Sequence, residues 1–179
     1  MMKQIFLGTL LAAAACSAQA ECRITENGIN GIRLGQSVAQ IKAAHLKAGF
    51  STESDAEGAE YTVITFPSKL DVAVFADGGT PKSPITYLST ASPECRTTAG
   101  VHPQMKIAEA AKRYGGLKRI EMVEIEARQF ARFRKTPAAL QFRIDYSGIF
   151  PDAGKTDPPL YTRRYEKNGK IDSIEVVKP

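Results

Sequence analysis

The chain of 179 residues carries 24 Lys and Arg against 19 Asp and Glu, a formal net charge of +5, with 43% apolar residues, three cysteines and no tryptophan. An apolar fraction of that size excludes a disordered polyelectrolyte. Nor is the chain an integral membrane bundle, since no run reaches the roughly 20 apolar residues a spanning helix needs.

Residues 1–20 hold Lys3 as their one charge, then an apolar stretch from Ile5 to Ala15, then Ala18-Gln19-Ala20. This is the anatomy of a secretory signal peptide, with cleavage expected after Ala20 and a mature chain in the periplasm or medium. A second reading takes Ala13-Ala14-Ala15-Cys16 as a lipoprotein signal with Cys16 acylated, although Ala13 stands where leucine is usual. With Cys16 removed, Cys22 and Cys95 remain, and in an oxidising compartment two cysteines are expected to pair; two separate thiols are the alternative.

Charge is unevenly placed along the mature chain. Residues 21–95 hold 6 basic and 9 acidic side chains, net −3, whereas residues 96–179 hold 17 and 10, net +7. Such asymmetry speaks about partners and not about fold. Nucleic acid is not expected outside the cytoplasm, so the candidate anions are phospholipid, lipopolysaccharide, wall polymer or an acidic protein. A solvated basic face without a ligand is the alternative.

The chain reads as two copies of one unit, at 21–93 and 94–179. Glu21-Cys22-Arg23-Ile24-Thr25 recurs as Glu94-Cys95-Arg96-Thr97-Thr98, Gly31-Ile32 as Gly100-Val101, and Val38-Ala39 as Ile107-Ala108. Further on, the run Pro67 to Val74 matches Pro137 to Ile144. In the first copy Ser37 with Gln40 forms a capping-box pattern, Val38, Ile41 and His45 recur at helical spacing, and Gly49 offers a stop. Three strands are then expected at Tyr61 to Phe66, Leu70 to Phe75 and Ile85 to Thr90, split by Pro67 and the turn cluster Asp77 to Pro81.

The second copy repeats the plan. Ile107, Ala110, Ala111 and Tyr114 make a helical stripe closed by Gly115-Gly116. Strands are expected over Glu121 to Arg134, Leu140 to Tyr146, Tyr161 to Glu166 and Ile171 to Val177, with a loop from Ser147 to Pro159. Both helices should run about three turns and need a sheet to pack on. The expected fold is α+β: two tandem αβββ-type repeats with antiparallel sheets and short helices packed on them.

Tandem helix-then-sheet units, each introduced by Gly31-Ile32 or Gly100-Val101 shortly before its helix, resemble the β-lactamase inhibitory protein and the outer-membrane assembly lipoproteins of the BamE type. The segment Thr98 to Gly115 is also similar to sigma-E-regulated envelope lipoproteins of unassigned role. The resemblance implies a rigid, sheet-based envelope protein that binds another protein. It departs from the inhibitor in one respect: there each unit holds its own disulfide, whereas Cys22 and Cys95 would join the starts of the two units.

Catalytic groups are scarce. His45 falls in a short helix and His102 between Val101 and Pro103, where structural roles are expected. No His-x-x-x-His, Cys-x-x-Cys or Gly-x-Ser-x-Gly spacing and no phosphate-binding glycine loop occurs, so neither a metal nor a cofactor is expected. Glu121, Glu124 and Glu126 cluster, but beside Arg128, Arg132 and Arg134 they read as a mixed charged surface.

The expectation is therefore a non-catalytic binding protein. On the strand ending at Arg134 the even positions Arg128, Phe130, Arg132 and Arg134 should face outward, and Ala127, Ala131 and Phe133 inward. Arg143 on the next strand and Arg163 and Arg164 on another should extend that surface. Arginine with an exposed aromatic is the composition of recognition surfaces, and guanidinium pairs bidentately with carboxylate or phosphate. Two narrower versions are an inhibitor or immunity protein for an extracytoplasmic wall hydrolase, and a salt-sensitive binder of anionic envelope polymer or lipid.

Overall fold

The computed structural model describes residues 21–55, 58–78, 80–123, 128–151 and 160–179. The proposed signal peptide, Cys16, Glu124, Glu126 and Ala127 therefore lie outside the described residues.

The chain starts with three short strands, β1 Arg23–Thr25, β2 Gly28–Ile29 and β3 Ile32–Arg33, and reaches helix α1, Val38–Ala44. Ser37 caps α1: its side chain accepts from Gln40 N while the Gln40 side chain accepts from Ser37 N, so two otherwise orphaned amides are satisfied. Four strands follow as a meander, β4 Gly49–Ser54, β5 Glu60–Thr65, β6 Asp71–Ala76 and β7 Ile85–Thr90. Strand β8, Arg96–Thr97, then leads to helix α2, Ile107–Arg113. Strands β9 Leu117–Val123, β10 Arg128–Phe133, β11 Leu140–Ile144, β12 Tyr161–Thr162 and β13 Ile171–Val177 complete the chain.

Two sheets result. The small one has the order β3-β2-β1-β8, with β1 and β8 parallel. The large one holds nine strands in the order β12-β9-β10-β11-β13-β7-β6-β5-β4, every pair antiparallel. The meanders after α1 and α2 meet through their last strands, with Ile174 opposite Thr90 and Val176 opposite Leu88. The molecule is thus α+β, mostly antiparallel sheet with two short helices.

Corresponding backbone contacts hold each helix entry to the last strand of its meander. Gly35 N donates to Ile85 O and Ile85 N to Gln36 O; Gln104 N donates to Ile171 O and Ile171 N to Met105 O. Gly31 and Gly100 both turn the chain in the left-handed region, at φ 84° and 75°, where a side chain would be strained. Each helix has seven residues, two turns in place of the three expected.

One face of the large sheet carries the core. Val38 and Ile41 of α1, Ile107 and Ala110 of α2, and Ile24, Ile29 and Ile32 of the small sheet pack with Ile64, Val72, Val74, Leu88, Phe142, Ile174 and Val176. Tyr114, the C-cap of α2, stacks on Phe133 at 5.9 Å between ring centroids and meets Phe142 at 5.4 Å. Cys22 and Cys95 form the expected disulfide, buried just ahead of the neighbouring strands β1 and β8 of the small sheet.

Three expectations need correction. The run Glu121 to Arg134 is not one strand: β9 and β10 are antiparallel neighbours, with Val123 opposite Arg128. Helix α1 is therefore followed by a four-strand meander, and α2 by five strands, of which β9, β10, β11 and β13 lie in that order while β12 crosses back to the edge beside β9. Gly49 does not close α1; the helix ends with His45 as its C-cap and Gly49 opens β4. The strand expected over Tyr161 to Glu166 is two residues long, because Arg164 O instead accepts from Ile149 N and Glu166 N donates to Ser147 O.

Candidate functional site: the open face of the sheet

Strand pleating puts alternate side chains on opposite faces, so the face away from the helices can be read from register. In the second half, Glu121 stands opposite Phe130, and Phe130 opposite Arg143. Arg119 faces Arg132, and Val123 faces Arg128. The row continues across the join as Gln141, Glu175, Ser89, Ala73, Val63 and Ser51. Among the described residues no helix or further strand packs on this face, because both helices and the small sheet belong to the core on the other side.

The structure brings Arg128, Phe130, Arg132 and Arg143 together here. Arg132 and Arg119 both hydrogen-bond Glu121, and Arg143 Nε lies 3.8 Å from Asp172. Burial pushes the Glu121 carboxyl upward, but hydrogen bonds from Arg132 and Arg119 outweigh it and hold the group below the ordinary carboxylate range.

Phe130 corrects an expectation. It stands on the predicted face yet is only 5% exposed, under the Arg132 guanidinium 5.7 Å from its ring centroid. The Arg132 side chain lies over the ring while its guanidinium bonds Glu121.

Arg134 also departs from the predicted row. Strand β10 ends at Phe133 after a register shift between Arg132 and Phe133, and Arg134 sits in the turn beyond with its N–H on Gly116 O. A bulge changes the strand's alternation, so counting every second residue fails past it. Arg163 follows β12 and donates from Nε to Lys118 O, and Arg164 lies beyond it at the sheet edge.

Three aromatics absent from the sequence-based set share the open face. Tyr61 stacks on Phe75 at 4.8 Å, and Phe75 meets Tyr87 edge-on at 5.1 Å. Their phase was legible, since Val72 and Val74 fill the core and Phe75 is out of step with them. Glu175, 3% exposed, sits nearby on β13. Burial, and after it the Glu175 carboxylate, pushes the Tyr87 hydroxyl well above the ordinary tyrosine range. The face therefore joins an arginine-bearing end to an aromatic ladder across a polar centre.

Among the described residues, no three His, Cys, Asp or Glu side chains gather to hold a metal, and no helix is long and apolar enough to cross a membrane. No protein family matches the chain, and no curated protein sequence does. Its fold is similar to that of the uncharacterized protein YfeY from Escherichia coli, with a TM-score of 0.57 at 10% identity, covering 87% of this chain and 99% of that one. At that identity the likeness concerns the fold alone.

Proposed function

We propose that this is a non-catalytic envelope protein that binds an acidic protein partner through the open face of its sheet. The observation that carries the reading is that face itself: Arg128, Arg132 and Arg143 stand at one end, the Tyr61, Phe75 and Tyr87 ladder at the other, and no described element covers either. Arginine and large aromatics dominate the energetics of protein interfaces, because each removes much surface from water for few frozen torsions. A continuous sheet supplies rigidity, which lowers the ordering cost of association.

We read the fold as two tandem copies of one helix-and-meander unit. The equal seven-residue length of the helices, the paired Gly35/Gln104 and Gln36/Met105 backbone contacts and the antiparallel union of β7 with β13 support that reading. Duplication would have left both copies with an exposed sheet face and then fused them into one platform. The Cys22–Cys95 bridge suits an oxidising compartment, and the N-terminal pattern suits export with cleavage after Ala20, or acylation of Cys16 as its alternative.

An inhibitor or immunity protein for a hydrolase acting outside the cytoplasm is the specific version that the sheet platform favours. Affinity capture from envelope extract tests the reading. One partner should be retained by the parent protein and lost with Arg143→Glu; the same set of proteins on both would reject it.

A further inference from the structure

The described residues expose six large apolar side chains, and four of them gather at one edge of the sheet. They are Val123, Ile149, Leu160 and Tyr161, the last two 41% and 64% exposed. Hydrogen bonds place their segments next to one another along the edge: Leu160 O accepts from Met122 N, next to Val123, and Ile149 N donates to Arg164 O, while Thr162 Oγ1 donates to Ile149 O. This edge adjoins the open face, sharing Arg119 with it, while Arg163 and Arg164 lie beyond the row formed by Arg128, Arg132 and Arg143.

The same edge bears an open cleft of about 590 Å³ lined by Lys118, Arg119, Pro151, Tyr161, Thr162, Arg163 and Arg164. Four of those residues are cations and none is acidic. Arg119 is engaged by Glu121, and Arg163 Nε by a main-chain carbonyl. Among the described residues neither Lys118 nor Arg164 has an acidic partner.

Cations beside exposed aliphatic and aromatic tips are a two-part surface. A polyanionic sugar chain would use the cations and leave the apolar tips in water, whereas a bilayer accepts both, with phosphates against guanidinium and apolar tips below the headgroups. We propose that the β12 edge docks on an anionic phospholipid bilayer, Lys118, Arg119, Arg163 and Arg164 facing the phosphates and Ile149, Leu160 and Tyr161 entering the headgroup layer. Arg119 is shared with the open face, but Leu160, Tyr161, Arg163 and Arg164, which the test changes, are not among the open-face residues Arg143 and Tyr61, so either reading can fail alone.

The test is flotation with the chain expressed at full length and purified as the cell processes it, so that parent and variants share one N-terminus. Neutral phosphatidylcholine vesicles are compared with vesicles holding about 30% phosphatidylglycerol, whose surface attracts each nearby cation by about fivefold in partition. The parent should bind the anionic vesicles preferentially, and raising salt from about 0.05 to about 0.5 M should release it, since charges are screened over shorter distances.

Arg163→Ala with Arg164→Ala should lower the partition by about thirtyfold, two such charges together. Arg163→Lys with Arg164→Lys should restore most of it, and Leu160→Ser with Tyr161→Ser should lower it with charge unchanged. Matching thermal melts separate these effects from unfolding. Equal binding to both vesicle types, or arginine variants that bind like the parent, would overturn the proposal. Retention of an acidic protein by this edge without vesicle binding would overturn it in favour of a protein partner, and release by millimolar inorganic phosphate at constant ionic strength would point to a free phosphate site.

Discussion

Arg119 and Arg132 stand directly opposite each other on neighbouring strands, and Glu121 accepts a hydrogen bond from each. Like charges in register repel, so this carboxylate permits two guanidinium groups to share the open face. Glu121→Gln keeps the shape and removes the charge. It should cost about 1 kcal/mol or less at neutral pH, given the partial exposure of the group, as read by urea melts.

The same pair sets a pH dependence. The folded Glu121 carboxyl lies below its ordinary value of 4.5, so its contribution is full above that value and fades as pH falls through the lower, folded one. Parent and Glu121→Gln stabilities should therefore differ at neutral pH and converge on acidification below about 4. A difference that stays constant from neutral pH to about pH 3 would contradict the assignment.

The helix starts differ in a way that stability measurements can detect. Ser37 makes a full capping box, whereas Lys106, at the matching place before α2, makes no side-chain cap bond. Ser37→Ala should destabilise by about 1 kcal/mol and Lys106→Asp should stabilise by about 0.5–1 kcal/mol, since a carboxylate accepts from a first-turn amide and suits the helix's positive end.

Sheet faces can be assigned by truncation. Phe142 is fully buried between Tyr114, Phe133 and the rest of the core, and Phe142→Ala should cost about 3–5 kcal/mol. Tyr61, on the open face and partly exposed, should cost clearly less on change to alanine. Comparable losses at both positions would mean that something covers the open face.

The disulfide joins the residues just before β1 and β8 across a separation of 73 residues. Replacing Cys22 and Cys95 by serine should lower stability by about 4 kcal/mol on chain-entropy grounds, with the midpoint of urea unfolding as the readout. An unchanged midpoint would show that the parallel β1–β8 pairing holds the two starts together without help.

Much of this fold was legible in residue order, for local reasons. Ser37 and Gln40 announced the first helix, Gly115 and Gly116 the end of the second, and β-rich composition marked Ile85–Thr90 and Ile171–Val177 at their true bounds. Strand β4 was missed because five of its six residues are exposed and show no alternation. The β9–β10 hairpin was hidden since no glycine, proline or asparagine interrupts residues 121–134. Pairing of β7 with β13 joins residues more than 80 positions apart, which no local pattern encodes. For the site, the arginine phase survived up to the shift after Arg132, whereas the aromatic ladder spans three strands and becomes visible only in register.

The central claim is that the open face, arginine end and aromatic ladder together, binds a protein partner. Quantitative capture from envelope extract tests it most directly, comparing the parent with Arg143→Glu and with Tyr61→Ala, each first shown to melt cooperatively. One acidic protein recovered by the parent and depleted by both variants, although they sit in different halves of the chain, is the predicted result. Recovery unaffected by either variant would contradict the claim.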